Sequence, residues 1–333
     1  MKKLLSLALV LMLSLSACSN KVNKQSESSN EATKTNEVTT NKDKVTIKTY
    51  NGENVEVDLE VAFNPSKIAV LDLPALDILD NLGLGDRVIG AASNRVDYLA
   101  KYNEKRNLGT IREADLEALA EIEPDVIFIG GRMAKSYDEL SKIAPVIYLK
   151  VDHVNLGTIK SVEKNAMTIA SLFGLESKVS ELMANFQSRL DKIAAFANQK
   201  TAIVALTTSG SFNILGQDGR ASIISREANF KNIGLDAPKK DKEQTATHGN
   251  EASFEFVVEK NPEFIFVLDR DVAINAKGGA LAKEIVENEL VKGLDVYKNG
   301  NIVYLSHPTI WYTAEGGITA LDYMLKDLEQ AIK

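Results

Sequence analysis

One stretch occurs twice in the chain: EADLEALAEIEPDVIFIGGR at residues 113–132 and EASFEFVVEKNPEFIFVLDR at residues 251–270. From Glu113 and Glu251 through Pro124 and Pro262 to Arg132 and Arg270, the Glu, Pro and Arg positions keep a constant offset of 138 residues. Each copy reads as an amphipathic helix, a proline that stops it, and a continuous apolar strand of the type buried on both faces of a parallel sheet. A helix–strand unit that recurs at this distance predicts two α/β lobes, each with a small parallel sheet and helices on both faces.

Reading outward, further strands fit the scheme. PVIYL at 145–149 follows the first unit, IVYL at 302–305 follows the second, and TAIVAL at 201–206 opens the second half. A buried strand at 67–71 precedes a helix marked by Ala75, Leu76, Ile78 and Leu79, which stops at Gly83. Residues 45–50 and 55–59 alternate in polarity around Asn51-Gly52, a hairpin signal. Between the lobes, apolar residues recur at helical spacing over 159–173 and, after Gly174, at Val179, Leu182, Met183, Phe186, Leu190 and Ile193. That segment reads either as one more core helix or as a rigid strut, which would limit hinge closure. The organisation expected is a signal peptide at 1–17, a lipidated Cys18 and polar tether at 18–43, an N-terminal lobe at 44–156, a helical strut at 157–198 and a C-terminal lobe at 199–333.

The beginning of the chain supports that division. Lys2 and Lys3 precede an apolar run from Leu4 to Leu15, and Leu15-Ser16-Ala17-Cys18 closes it with the only cysteine in 333 residues. This is the pattern of a secretory signal, too short to span a bilayer, which takes about 20 residues. Cys18 stands where a bacterial lipobox places its lipidated residue. Residues 19–43 are rich in Asn, Ser, Thr, Lys and Glu, a composition that cannot offset its own ordering entropy. The full chain carries a net charge of -7, and removal of the two leader lysines makes the remainder more acidic. Nucleic acid and anionic membrane surfaces are therefore poor partners. With one cysteine there is no disulfide framework, and 44% hydrophobic residues suffice for a packed core.

The lipobox, tether, paired lobes and helical strut together resemble the helical-backbone substrate-binding proteins of ABC importers, which capture cobalamin, haem or ferric siderophores. Thr247-His248-Gly249-Asn250-Glu251, Ile310-Trp311-Tyr312 and the set Arg132, Arg220 and Arg270 resemble the catecholate-siderophore group of these lipoproteins. The fold class this implies is two Rossmann-like lobes with parallel sheets joined by a long helix, with the ligand cleft between the lobes. It also implies a monomeric, lipid-anchored protein on the outer face of the cell membrane. The ligand would be a Fe(III)-catecholate complex, with no permanent cofactor, and the partner an ABC permease dimer.

The residues carry their own chemistry. Ligands of α/β sheets bind outside the carboxyl ends of the strands, and Arg132 and Arg270 follow two such ends. Arg220, in Gly216-Gln-Asp-Gly219-Arg220, follows a strand and turn and can reach the same space. Guanidiniums facing one cavity repel unless an anion joins them, and a ferric tris-catecholate carries about three negative charges. Pairing with Asp218, Asp269 or Asp271 is the competing explanation. Arg95 reads as a cleft residue or a solvated one, and Trp311 as a stacking platform or a core residue. A two-catechol ligand leaves two positions open on six-coordinate Fe(III), which an imidazole and a phenolate can fill. The resemblance implies that role for His248 and Tyr312. His153 and His307 read as structural, His307 being the nearer of the two to the cleft. Glu113 and Glu251, equivalent in the repeat, are expected to meet basic residues of the permease, one per lobe; the competing role is to favour a helix dipole.

Other function classes find less support. Haem or cobalamin on the same fold would want an aromatic, apolar pocket, which three arginines oppose. Direct capture of Zn or Mn needs clustered ligands that three scattered histidines do not supply. A surface hydrolase lacks its marks: there is no Gly-x-Ser-x-Gly, no His-Glu-x-x-His and no phosphate loop. The chain is thus expected not to be an enzyme.

Overall fold

The computed structural model describes residues 43–236, 249–276 and 280–332. Cys18 and His248 lie outside the described residues. The described residues form three sheets, built from β1 (Lys44–Tyr50), β2 (Glu56–Ala62), β3 (Ile68–Val70), β4 (Val88–Ala91), β5 (Arg106–Asn107), β6 (Val126–Ile129), β7 (Val146–Tyr148), β8 (Thr201–Thr208), β9 (Ser211–Ile214), β10 (Lys231–Asn232), β11 (Asn250–Glu251), β12 (Phe264–Asp269) and β13 (Ile302–Tyr304).

The duplicated unit folds the same way twice. Asp115 and Ser253 are the N-caps of helices Leu116–Ile122 and Phe254–Lys260, accepting from Ala118 N at 2.9 Å and Phe256 N at 3.4 Å. Both helices end on a left-handed residue, Glu123 at φ 47° and Asn261 at φ 40°. Prolines follow at 124 and 262, and then β6 and β12 begin. Cap, stop and strand start all keep the spacing of the repeat.

The N-terminal sheet is all parallel, in the order β5-β4-β3-β6-β7. Its first strand is central; the chain builds outward on one side, then returns to build on the other. This is the doubly wound arrangement, and its crevice opens between β3 and β6, where the winding reverses. The second sheet runs β11-β9-β8-β12-β13, with β10 also paired to β8. Here an antiparallel strand joins the expected parallel core. β12 and β13 are parallel to β8, but β9 returns antiparallel. Ser209 and Gly210 both take positive φ (51° and 80°), the geometry of a tight hairpin turn.

Each of the two lobe sheets is buried on both faces. Ile68, Val70, Val126 and Phe128 point to one core, while Ala69, Leu71, Ile127 and Ile129 point to a second on the other side. In the C-terminal sheet Ala202, Val204 and Leu206 join the first core, and Ile203 and Ala205 a third. The shared core also takes in the segment between the lobes, so one apolar body runs through both. That segment is three helices rather than one long rod: Thr158–Ser171, Glu176–Met183 and Phe186–Ala197. Gly174, at φ 64°, makes the first break. The hairpin β1–β2 is antiparallel as expected, but its turn is longer than Asn51-Gly52. Asn51 N donates to Val55 O, and the left-handed position is Asn54, at φ 62°.

A buried carboxylate ties the ends of the chain together. Asp77, in helix Leu73–Asn81, accepts from Thr319 N (3.1 Å) and Ala320 N (2.9 Å) at the start of helix Ile318–Glu329, and from Tyr98 Oη (3.0 Å). Gly317 permits the approach, since a Cβ there would lie 2.0 Å from Asp77 Oδ2.

Candidate binding cleft

A cavity of about 400 Å³ lies where the strand ends of the first sheet meet the loops of the second. That is within the range of small-molecule sites, about 300–1,000 Å³. From the first lobe come Asp72, directly after β3, Gly130-Gly131-Arg132, directly after β6, and Lys150 and His153, after β7. These are the carboxyl ends flanking the switch point. The second lobe contributes Gly219-Arg220, and Tyr312 and Glu315 come from the C-terminal segment.

Two arginines converge on one carbonyl. Arg132 Nη2 donates to Tyr312 O at 2.6 Å, and Arg220 Nη1 donates to the same oxygen at 2.8 Å and to Trp311 O at 2.9 Å. Arg220 is buried, and its Cζ lies 4.1 Å from the centre of the Tyr312 ring. Burial pulls its guanidinium below the ordinary value; Glu315 works against that, while Arg132 adds to it. Gly130 sets the first-lobe side, because a Cβ there would fall 2.0 Å from Asp72 Oδ1. Asp72 caps helix Leu73–Asn81 through Ala75 N (3.1 Å). Burial pushes its carboxyl up to about 6, opposed by that N–H and by Arg132.

The remaining sequence candidates distribute as follows. Arg270 does not line the cavity. It stands behind the Tyr312 ring, donating from Nε to Tyr312 Oη at 2.9 Å and from Nη1 to Thr208 Oγ1 at 3.0 Å, with Asp271 at 3.9 Å. Tyr312 itself is 2% exposed but contributes to the wall. Trp311 is no stacking platform. It is fully buried, and its Nε1 donates to the buried Asp327 at 2.8 Å. Asp327 also holds the half-buried His307 through Nδ1 at 2.7 Å, so one buried carboxylate fixes both side chains. Arg95 is exposed and reaches Ile274 O at 3.0 Å, outside the cavity. Asp218 pairs with Arg226, not with Arg220. Glu113 is exposed and Glu251 half-buried. Each lies two residues before its helix cap, and the capping falls to Asp115 and Ser253.

Four wall residues were not singled out for the cleft by sequence reasoning: Asp72, Lys150, His153 and Glu315. Among the described residues, His153 and not His307 lines the cavity, with Nδ1 3.0 Å from Ser222 Oγ of the other lobe. A signal for the first three existed, since each follows a strand end of the first sheet. Glu315 had none, because it comes from a turn after helix Pro308–Thr313. Among the described residues, no cluster of His, Cys, Asp and Glu could hold a metal by protein ligands alone.

Comparison with known proteins places this geometry in context. Residues 68–309 match the family described as periplasmic binding protein. The chain is 34% identical to the petrobactin-binding protein YclQ of Bacillus subtilis, with all of both chains covered. It is 30% identical to the probable siderophore-binding lipoprotein YfiY of the same organism, over 99% of this chain and 98% of that one. The crystal structure of YclQ superposes with a TM-score of 0.78 at 31% identity, covering 88% of this chain and 99% of that one. The periplasmic catecholate-siderophore binding protein VctP of Vibrio cholerae gives 0.75 at 29% identity, over 86% and 100%.

Proposed function

Because the chain belongs to the periplasmic binding protein family, we propose that it is the substrate-binding protein of an ABC importer and captures ferric catecholate siderophores for iron uptake. One observation carries the ligand class. Arg132 and Arg220 bring two guanidiniums from two lobes to one carbonyl oxygen in a cavity of about 400 Å³. The two guanidiniums give the cavity a cationic wall, and a catecholate presents paired anionic oxygens to such planar donors. VctP is named as a catecholate-siderophore binding protein and YfiY as a probable siderophore-binding lipoprotein, which supports that reading. Iron is the cargo here, carried inside its ligand, and the protein supplies binding rather than catalysis and holds no permanent cofactor.

In this reading a two-catechol complex completes its iron shell with the Tyr312 phenolate and the His248 imidazole. Tyr312 Oη must first leave Arg270 Nε, and Arg270 is then released to join the other two arginines on the ligand. The protein acts as a monomer, anchored through two acyl chains on Cys18, since one chain alone gives only marginal anchoring. Glu113 and Glu251 dock one lobe each onto a permease dimer. The deciding experiment is a fluorescence-quenching titration against ferric tris-catecholate, bis-catecholate and trihydroxamate complexes, haem and cobalamin. The catecholates are expected to bind tightest, with Tyr312→Phe and His248→Ala weakening the bis-catecholate selectively. Equal affinity for the neutral trihydroxamate would refute the ligand class, and equal losses for both catecholates would remove the two iron ligands.

A further inference from the structure

Glu315 is an acid in a cavity built for anions. It follows helix Pro308–Thr313 and precedes Gly316, whose φ of 115° suits glycine alone; a Cβ there would also meet Val151 and Pro74. That turn drives the carboxylate inward. Its Oε1 is closed off from solvent and has no hydrogen-bond partner among the described residues. Sharing the cavity with it are His153 from the loop after β7, Arg132 from behind β6, and Arg220 from the loop before helix Ile223–Arg226. Asp72, Lys150 and Tyr312 share the cavity wall, and Arg112 bears on Arg220 from farther out.

One feature sets Glu315 apart from Asp72, the other acid of the wall. Asp72 is committed to its helix cap. Glu315, by contrast, keeps a carboxylate oxygen buried and uncommitted among the described residues. Burial, the largest influence, raises its carboxyl above the ordinary value, and the imidazole and guanidiniums oppose that rise. A polyanion entering the cavity would engage those same cations and take away that opposition. Like charges held close in a partly dry site do not both stay ionised.

We propose that Glu315 is a proton-exchanging counter-ion of the cleft: ionised when the cleft is empty, it takes one proton from solvent as a polyanionic ferric complex enters. One O–H bond forms on the carboxylate, nothing is oxidised or reduced, and the new hydroxyl donates to an anionic oxygen of the ligand. The inference rests on the anion-binding reading above. Its consequence is that affinity for a polyanion weakens as pH rises above the carboxyl's value in the empty protein, by up to about tenfold per pH unit.

The test is isothermal titration calorimetry of the full chain in detergent, with the ferric complex of a synthetic hexadentate tris-catecholamide. Titrations run in phosphate and in Tris, whose ionisation enthalpies differ, so the heat difference counts protons. Wild type is expected to take up about one proton per complex, and Glu315→Gln, neutral and still a donor, close to none. The variant's affinity should also stay level as pH rises, while that of wild type falls by up to about tenfold per pH unit. Uptake that persists in Glu315→Gln and vanishes in His153→Gln would overturn the assignment. Normal binding by wild type without proton uptake would overturn it while leaving the function standing. Absence of binding to any ferric complex would remove the function, and the inference with it.

Discussion

Replacing Arg132 with Gln isolates the electrostatic contribution of the cleft, because the fold depends on this side chain very little. Arg132 is exposed, and the bond it makes at 2.6 Å goes to Tyr312 O, which keeps Arg220 as a donor at 2.8 Å when Arg132 is gone. No buried acceptor is orphaned, so the stability change is expected to stay below about 1 kcal/mol. A charge-assisted hydrogen bond to the ligand is worth about 1.5–3 kcal/mol. Arg132→Gln should therefore weaken a ferric tris-catecholate by about 10- to 150-fold. A neutral ferric trihydroxamate of similar size should change by less than about threefold, since shape is retained and only charge is removed. The assay pairs quenching titrations with guanidinium unfolding of the same preparations, which separates a binding loss from a folding loss. Equal weakening of charged and neutral complexes, with stability intact, would refute the claim that Arg132 acts as an anion ligand.

Asp77→Ala should cost about 3–5 kcal/mol in denaturant unfolding, because Thr319 N, Ala320 N and Tyr98 Oη lose their acceptor and each orphaned donor costs about 1–3 kcal/mol; a loss below about 1 kcal/mol would mean that the C-terminal helix docks without it. Asp72 has its carboxyl raised from 3.8 to about 6 by burial, so the folded protein holds that proton more tightly than the unfolded chain. Its contribution is complete below about pH 4 and is lost as pH rises through about 6, amounting to about 3 kcal/mol. Asp72→Asn, an equally good cap, should therefore gain stability relative to wild type between those pH values, and parallel pH–stability curves for the two proteins would contradict the cause assigned. Cys18→Ala should release the protein into the medium, as fractionation would show; retention on membranes at the wild-type level would dismiss the anchor. Glu113→Lys with Glu251→Lys should abolish iron uptake by cells while calorimetry finds ligand affinity unchanged, and normal uptake would end the docking assignment.

Short-range patterns carried much of the architecture. The repeat at residues 113–132 and 251–270, its prolines, and its apolar strands were enough to specify two α/β units, because caps, breakers and buried runs act through neighbours within about one helical turn. The same patterns placed Arg132 and Arg270 after strand ends. Sequence could not decide which of them faces the cavity. Arg270 lies behind a tyrosine 42 residues away, a matter of how helix Pro308–Thr313 packs on the second sheet. Trp311 and Tyr312 are adjacent, yet one turns to Asp327 in the core and the other to the cleft, since successive helical residues point about 100° apart. The antiparallel β9 followed from two residues, Ser209 and Gly210, whose left-handed angles only the folded hairpin requires. Local chemistry therefore determined the elements and their order. The charge balance of the cleft, where Glu315 and Asp72 stand among Arg132, Arg220, Lys150 and His153, was decided by tertiary structure. Those groups come from segments far apart in the chain, and electrostatic fields and burial act through space rather than along sequence.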